Sequence, residues 1–170
     1  MAAITMYPDD ERLAGGNRVA FNLYIITSVV LFVLMMLLGL TMRMGQATWL
    51  SVPPDHFYRF LSMHGAGMVG TTGLVTTAVM WFFLRKYVGL HLWAFMTNYV
   101  LFMLGALCII FAIFIDGYGA LWTFLYPLPV QSMGLWTPNA AALFMVGYLL
   151  IGVGMLVFYL DAAAAIIKVH

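Results

Sequence analysis

The sequence predicts an all-α integral membrane protein that crosses the bilayer four times. Three observations predict it. Apolar residues make up 65% of the chain and charged residues 8%. A soluble domain carries roughly 25% charged residues, so there is too little polar surface here to coat a water-soluble particle. Four apolar runs reach the length of about 20 residues that crosses about 30 Å of hydrocarbon. Within those runs the apolar residues are continuous rather than alternating, which argues against barrel strands.

The elements follow in order. Residues 1–18 form a polar tail containing Asp9, Asp10, Glu11, Arg12 and Arg18, unlike the basic start and short apolar stretch of a signal peptide. Residues 19–170 are the membrane domain. Helix I is expected over about Val19–Met42, helix II over Phe57–Leu84, helix III over His91–Ile115 and helix IV over Ala140–Ile167. Pro53 and Pro54 end the first loop and fix where helix II begins, and Pro138 with Asn139 does the same for helix IV. The one cysteine, Cys108, lies inside an apolar run and rules out a disulfide or a cysteine metal cluster within the chain. A formal charge of +1 gives no electrostatic case for a nucleic-acid partner.

Basic residues set the orientation. Arg12, Arg18, Arg85, Lys86 and Lys168 fall at one end of the four-helix path, and Arg43 and Arg59 at the other. Both termini are therefore expected on the cytoplasmic side. The loop between helices III and IV, residues 116–139, then faces outward. It is long for a structureless connection and contains Tyr118, Trp122, Phe124, Tyr126 and Trp136. Two readings fit that content: an aromatic belt at the interface, or an ordered cap over an outer cofactor.

An ionisable residue within a span is a functional candidate. His64 lies about 10 Å into helix II from its start, in Ser62-Met63-His64-Gly65-Ala66-Gly67. Ala66, Gly70, Gly73 and Thr77 share one helix face, which suits either close helix packing or the approach of a flat cofactor. His64 is then either a core histidine bonded to a neighbouring helix or a metal or haem ligand. Two histidines sharing one iron place their nitrogens about 4 Å apart, since each bond is near 2 Å. His56 would lie about 12 Å from His64 along a helix, and His91 and His170 lie at the opposite end of the bundle. A second histidine for His64 must come from outside this chain; a methionine within it is the other possibility. The clustered Met35, Met36, Met42, Met44, Met63 and Met68 read as adaptable packing rather than copper handling. Asp161 is expected to reach the inner interface, with a proton path as the alternative.

These residues resemble the first four helices of catalytic subunit I of the haem–copper oxidases. Ser62-Met63-His64-Gly65, preceded by Tyr58, resembles that family's helix II motif, whose histidine is an axial ligand of the low-spin haem. Arg43, followed by Gly45 and Gln46, resembles the arginine at that haem's periphery. The run from Gly117 to Leu128, with Trp122-Thr123 and Tyr126-Pro127-Leu128, resembles the family's glycine-rich loop between helices III and IV. The turn between helices II and III has no acidic residue, unlike the most common family form but like the B-type oxidases and nitric oxide reductases.

The resemblance implies a split subunit I of a respiratory terminal oxidase in a prokaryotic plasma membrane. His64 would ligate a low-spin haem. Arg43, Tyr58, Gly65, Trp122 and Tyr126 would surround it, with snorkelling as the alternative for Arg43 and interfacial anchoring for Trp122 and Tyr126. A second polypeptide would supply the other haem ligand, the high-spin haem and copper. Other oxidase subunits and an electron donor (cytochrome c, a copper protein or quinol) complete the expected partners. The alternatives are a non-catalytic assembly subunit, a nitric oxide reductase-type subunit or another respiratory cytochrome subunit.

Overall fold

The computed structural model describes residues 15–122 and 131–168. Four helices occupy them: α1 (Gly16–Gln46), α2 (Pro54–Leu84), α3 (Leu92–Phe114) and α4 (Pro138–Ile167). No strand occurs among the described residues. All four helices are long and apolar enough to cross a membrane. The 23 residues of α3 give about 35 Å, and the 31 residues of α1 and of α2 about 47 Å. The longer helices therefore tilt or project beyond the hydrocarbon.

The helix starts differ from the sequence reading in an informative way. α2 and α4 begin at Pro54 and Pro138 rather than after them. A proline in the first helical position loses nothing, because the amide it lacks there would have no intrahelical acceptor. α1 continues past Met42 to Gln46, so Arg43 belongs to its last turn. The helix stops where Thr48 adopts a positive φ of 62° and the amides of Trp49 and Leu50 both turn back to the Met44 carbonyl.

Consecutive helices run antiparallel. The start of α1, the α2–α3 turn and the end of α4 share one end of the bundle, here the terminal end. The α1–α2 and α3–α4 loops share the other, the loop end. Two apolar clusters fill the interior. At the terminal end Tyr24 stacks on Phe95 at 4.0 Å, and Phe95 stacks on Trp81 at 4.4 Å. Those rings tie α1, α3 and α2 together, and the Tyr24 hydroxyl donates to the Phe95 carbonyl at 2.6 Å. Toward the loop end Tyr118 stacks on Phe144 at 4.1 Å, over Ile109, Ala112 and Ala140.

α3 and α4 meet along a seam with a seven-residue repeat. His91 pairs with Asp161, the Asn98 backbone lies against Gly154, and Gly105 lies against Gly147. A Cβ added at Gly105 would come within 2.5 Å of the Gly147 carbonyl oxygen, and one at Gly147 within 2.7 Å of the Gly105 oxygen. Only glycine permits that backbone approach, as in small-residue packing between membrane helices. The seam ends in a clamp. Asp161 accepts from the His91 backbone amide at 3.0 Å and pairs with His91 Nδ1 at 2.7 Å. Its side chain is only 9% exposed, so Asp161 is tied back against the start of α3.

Many large apolar side chains still face outward, among them Val29, Val33, Met36, Leu149 and Leu156. That surface suits lipid or further helices rather than water.

Candidate functional site

The segment Ser62-Met63-His64-Gly65 lies in the third turn of α2, toward the loop end. Each residue of a helix turns about 100° from the last, so these four consecutive residues serve three neighbours. Met63 enters the loop-end cluster. His64 faces α1. Gly65 and Ser62 face the segment that follows α3.

His64 Nδ1 lies 2.7 Å from the Met35 carbonyl oxygen of α1. A carbonyl only accepts, so Nδ1 carries the proton. In the neutral ring Nε2 then holds a free lone pair, the form in which an imidazole ligates a metal. The ring lies against Gly39, four residues after Met35 and therefore on the same α1 face. A Cβ at Gly39 would stand 2.9 Å from His64 Cε1. Met35 itself is buried, and its thioether fills the space left by Gly67. That methionine packs, as expected, and it also contributes the backbone acceptor that orients His64.

Gly65 makes room for Trp122: a Cβ there would overlap the indole ring. Ser62 holds the neighbouring backbone. Its hydroxyl donates to the Tyr58 carbonyl at 2.8 Å and accepts from the Leu121 amide at 3.0 Å. Leu121 has a positive φ of 66°, a strained conformation for a branched side chain that the Ser62 bond helps to maintain. Behind it, Tyr118 is fully buried between Trp136 and Phe144. Burial raises the pKa of its hydroxyl, so it stays protonated at neutral pH.

The remaining expected residues are spread around this centre. Arg43 lies eight residues beyond Met35, about 12 Å along α1, and donates to Gln46 Oε1 at 2.8 Å. Tyr58 is 52% exposed on α2, with its Cβ beside Gly119. Tyr126, Pro127 and Leu128 lie outside the described residues, as do His170 and the tail before residue 15. His56 pairs with Asp55 at 3.1 Å, and His91 is held by Asp161. Neither approaches His64, and the described residues contain no cluster of three or more metal-binding side chains.

The shared face of Ala66, Gly70, Gly73 and Thr77 is helix packing. Gly70 faces the Phe102 ring of α3, and Gly73 receives the Met155 methyl of α4. The open side of His64 is the other one, along the junction of α1 and α2. Sequence reasoning missed Gly39, the Met35 carbonyl and the role of Ser62. Only Ser62 carried a signal, as a hydroxyl two positions before the histidine.

Comparison with known proteins agrees with this architecture. The family model described as Cytochrome C and Quinol oxidase polypeptide I matches residues 19–170, which takes in all of α2, α3 and α4 and nearly all of α1. No curated protein and no solved structure matches the chain.

Proposed function

The chain belongs to the cytochrome c and quinol oxidase polypeptide I family, and from that premise we propose that it holds the low-spin haem of a respiratory terminal oxidase, with His64 as one axial ligand. Members of this family are oxidoreductases that generally bind haem and copper and work with other oxidase subunits. This chain is a multi-pass membrane part of such a subunit I.

The observation that carries the proposal is the His64–Met35 hydrogen bond of 2.7 Å. Here Nδ1 is committed to a backbone carbonyl and Nε2 is left with its lone pair, the arrangement found at metal-bound imidazoles. Gly39 lets the ring sit flat against α1, which fixes its plane. The His64 imidazole fits one ligand position of a haem iron. No second histidine among the described residues comes near, and in this proposal the opposite ligand is supplied by a second polypeptide.

When bound, the haem supplies one-electron transfer to a distant oxygen-reducing centre. The protein's part is to position it and tune it through ligation, hydrogen bonding and burial. His64 ligates. The Met35 carbonyl makes the imidazole a stronger donor by accepting from Nδ1. Arg43, whose Nη1 donates to Gln46, would offer its remaining guanidinium protons to polar groups of the haem. Trp122, seated on Gly65 and exposed by 40%, closes the site toward the loop end together with Tyr58. Tyr126 is proposed in the same role from the resemblance alone.

The test is to express the chain by itself, supply haem and record its spectrum, then repeat with the partner polypeptide. The expected result is no stable six-coordinate low-spin haem on the chain alone and a normal one with the partner. A six-coordinate spectrum from the chain alone would show that the second ligand lies within it.

A further inference from the structure

The loop end of the bundle holds a cavity of about 410 Å³, lined by Asp55, Arg59, Gly117, Leu135 and Trp136, among others. It lies between the start of α2, the segment that follows α3 and the residues just before α4. Arg59 is five residues before His64, which turns it about 140° around α2. The cavity is therefore off the face that sets His64 against α1.

This cavity carries one charge of each sign, and neither is fully paired. The Arg59 Nε–H is buried and has no hydrogen-bond partner. A buried unpaired donor is costly, more so on a charged group. Arg59 Nη2 lies 3.6 Å from Asp55 Oδ2, beyond hydrogen-bond length. The same carboxylate oxygen lies 3.1 Å from His56 Nδ1. The Asp55 side chain is 51% exposed, and a carboxylate accepts at about four sites, so it has room for a further donor. Gly117, with a φ of 84°, gives the guanidinium its space: a Cβ there would stand 3.3 Å from Arg59 Nη2. Arg43, the other basic residue expected at this end, donates to Gln46 instead.

We propose that the cavity binds the headgroup of phosphatidylethanolamine, with its phosphate on Arg59 and its primary ammonium on Asp55. A guanidinium presents its N–H groups in a fork that matches phosphate oxygens, and Nε has no other acceptor. The ammonium supplies the donor that Asp55 can still accept. A purely anionic headgroup would meet the Asp55 carboxylate beside it, so a headgroup with both charges satisfies both residues. A choline headgroup also has both charges but no N–H to donate. The site lies where the spans meet the interface, the level of headgroups and aromatic side chains, and Trp136 lines it. Phe111 and Ile115, four residues apart on one face at the end of α3, are 55% and 71% exposed. They offer apolar surface to acyl chains only two residues before Gly117.

The test uses the complex purified with its native partners and then stripped of lipid. Phosphatidylethanolamine, phosphatidylcholine and phosphatidylglycerol with identical acyl chains are titrated back singly, and bound lipid is counted by native mass spectrometry. The wild type should bind phosphatidylethanolamine most tightly at the site that Arg59→Gln abolishes or weakens. That weakening should be roughly tenfold, the loss of one charged hydrogen bond. Asp55→Asn should weaken phosphatidylethanolamine and bring phosphatidylglycerol up to its level, because the carboxylate that repels an anion is gone. Phosphatidylglycerol bound as tightly as phosphatidylethanolamine by the wild type would overturn the proposal in favour of a plain anion site. Equal lipid binding by the wild type and Arg59→Gln would overturn it outright. Should Arg59→Gln fail to assemble, Asp55→Asn decides alone: an unaltered preference for phosphatidylethanolamine in that variant would overturn the proposal.

Discussion

His64 is held by atoms that leave little trace in a sequence. Its Nδ1 partner is the backbone of Met35, and any residue at that position offers the same carbonyl. The ring's resting place, Gly39, is one of 16 glycines. The histidine and its motif therefore stand out in the sequence, and the groups that orient it do not. Ser62 lies between these cases, because its hydroxyl was visible but its partner, the Leu121 amide, is 59 positions away. Gly39 gives the sharpest prediction at this scale. In Gly39→Val the added carbons would have to occupy the place of the imidazole, since even a Cβ lies 2.9 Å from it. The bundle should still insert and assemble, because Gly39 lies against His64 rather than in the core clusters. Most of the low-spin haem signal in the assembled complex should be lost, and a reduced-minus-oxidised spectrum per mole of protein measures it.

Among the elements, the four helices were legible because each is a long, uninterrupted apolar run. The starts of α2 and α4 were misplaced by three and two residues, since proline reads as a terminator in sequence but is accommodated in the first helical turn. The pairing of α3 with α4 was hidden for a different reason. His91, Asn98 and Gly105 repeat every seven residues on one helix, and Gly147, Gly154 and Asp161 on the other, but the match appears only when one helix is reversed against the other. Gly147→Val tests this seam. Overpacking a close contact costs about 1–3 kcal/mol, and here the strain falls on two backbones at once. Thermal melting of the purified complex should fall by several degrees, while the low-spin haem spectrum of the surviving folded material stays unchanged. The clamp at the seam's end predicts a companion effect. Asp161→Ala leaves the His91 amide without its acceptor and should also lower the melting temperature, whereas Asp161→Asn keeps an acceptor oxygen and should lower it less.

For the molecule as a whole, the bundle of four helices sets His64 against Gly39 and the Met35 carbonyl of α1, and covers the small-residue face of α2 with Phe102 and Met155. Family membership follows from the match over residues 19–170, and the resemblance that pointed to it rested on the order of three short motifs. The loop motif was only half placed, because Tyr126-Pro127-Leu128 lies outside the described residues. What unites the residue and element scales is the claim that His64 Nε2 faces iron. The most direct test is the reduced-minus-oxidised spectrum of the complex purified with its native partners, with and without His64→Ala. The account predicts that the low-spin haem band disappears in the variant while the other subunits still co-purify. A low-spin band of unchanged size and position in His64→Ala would contradict it.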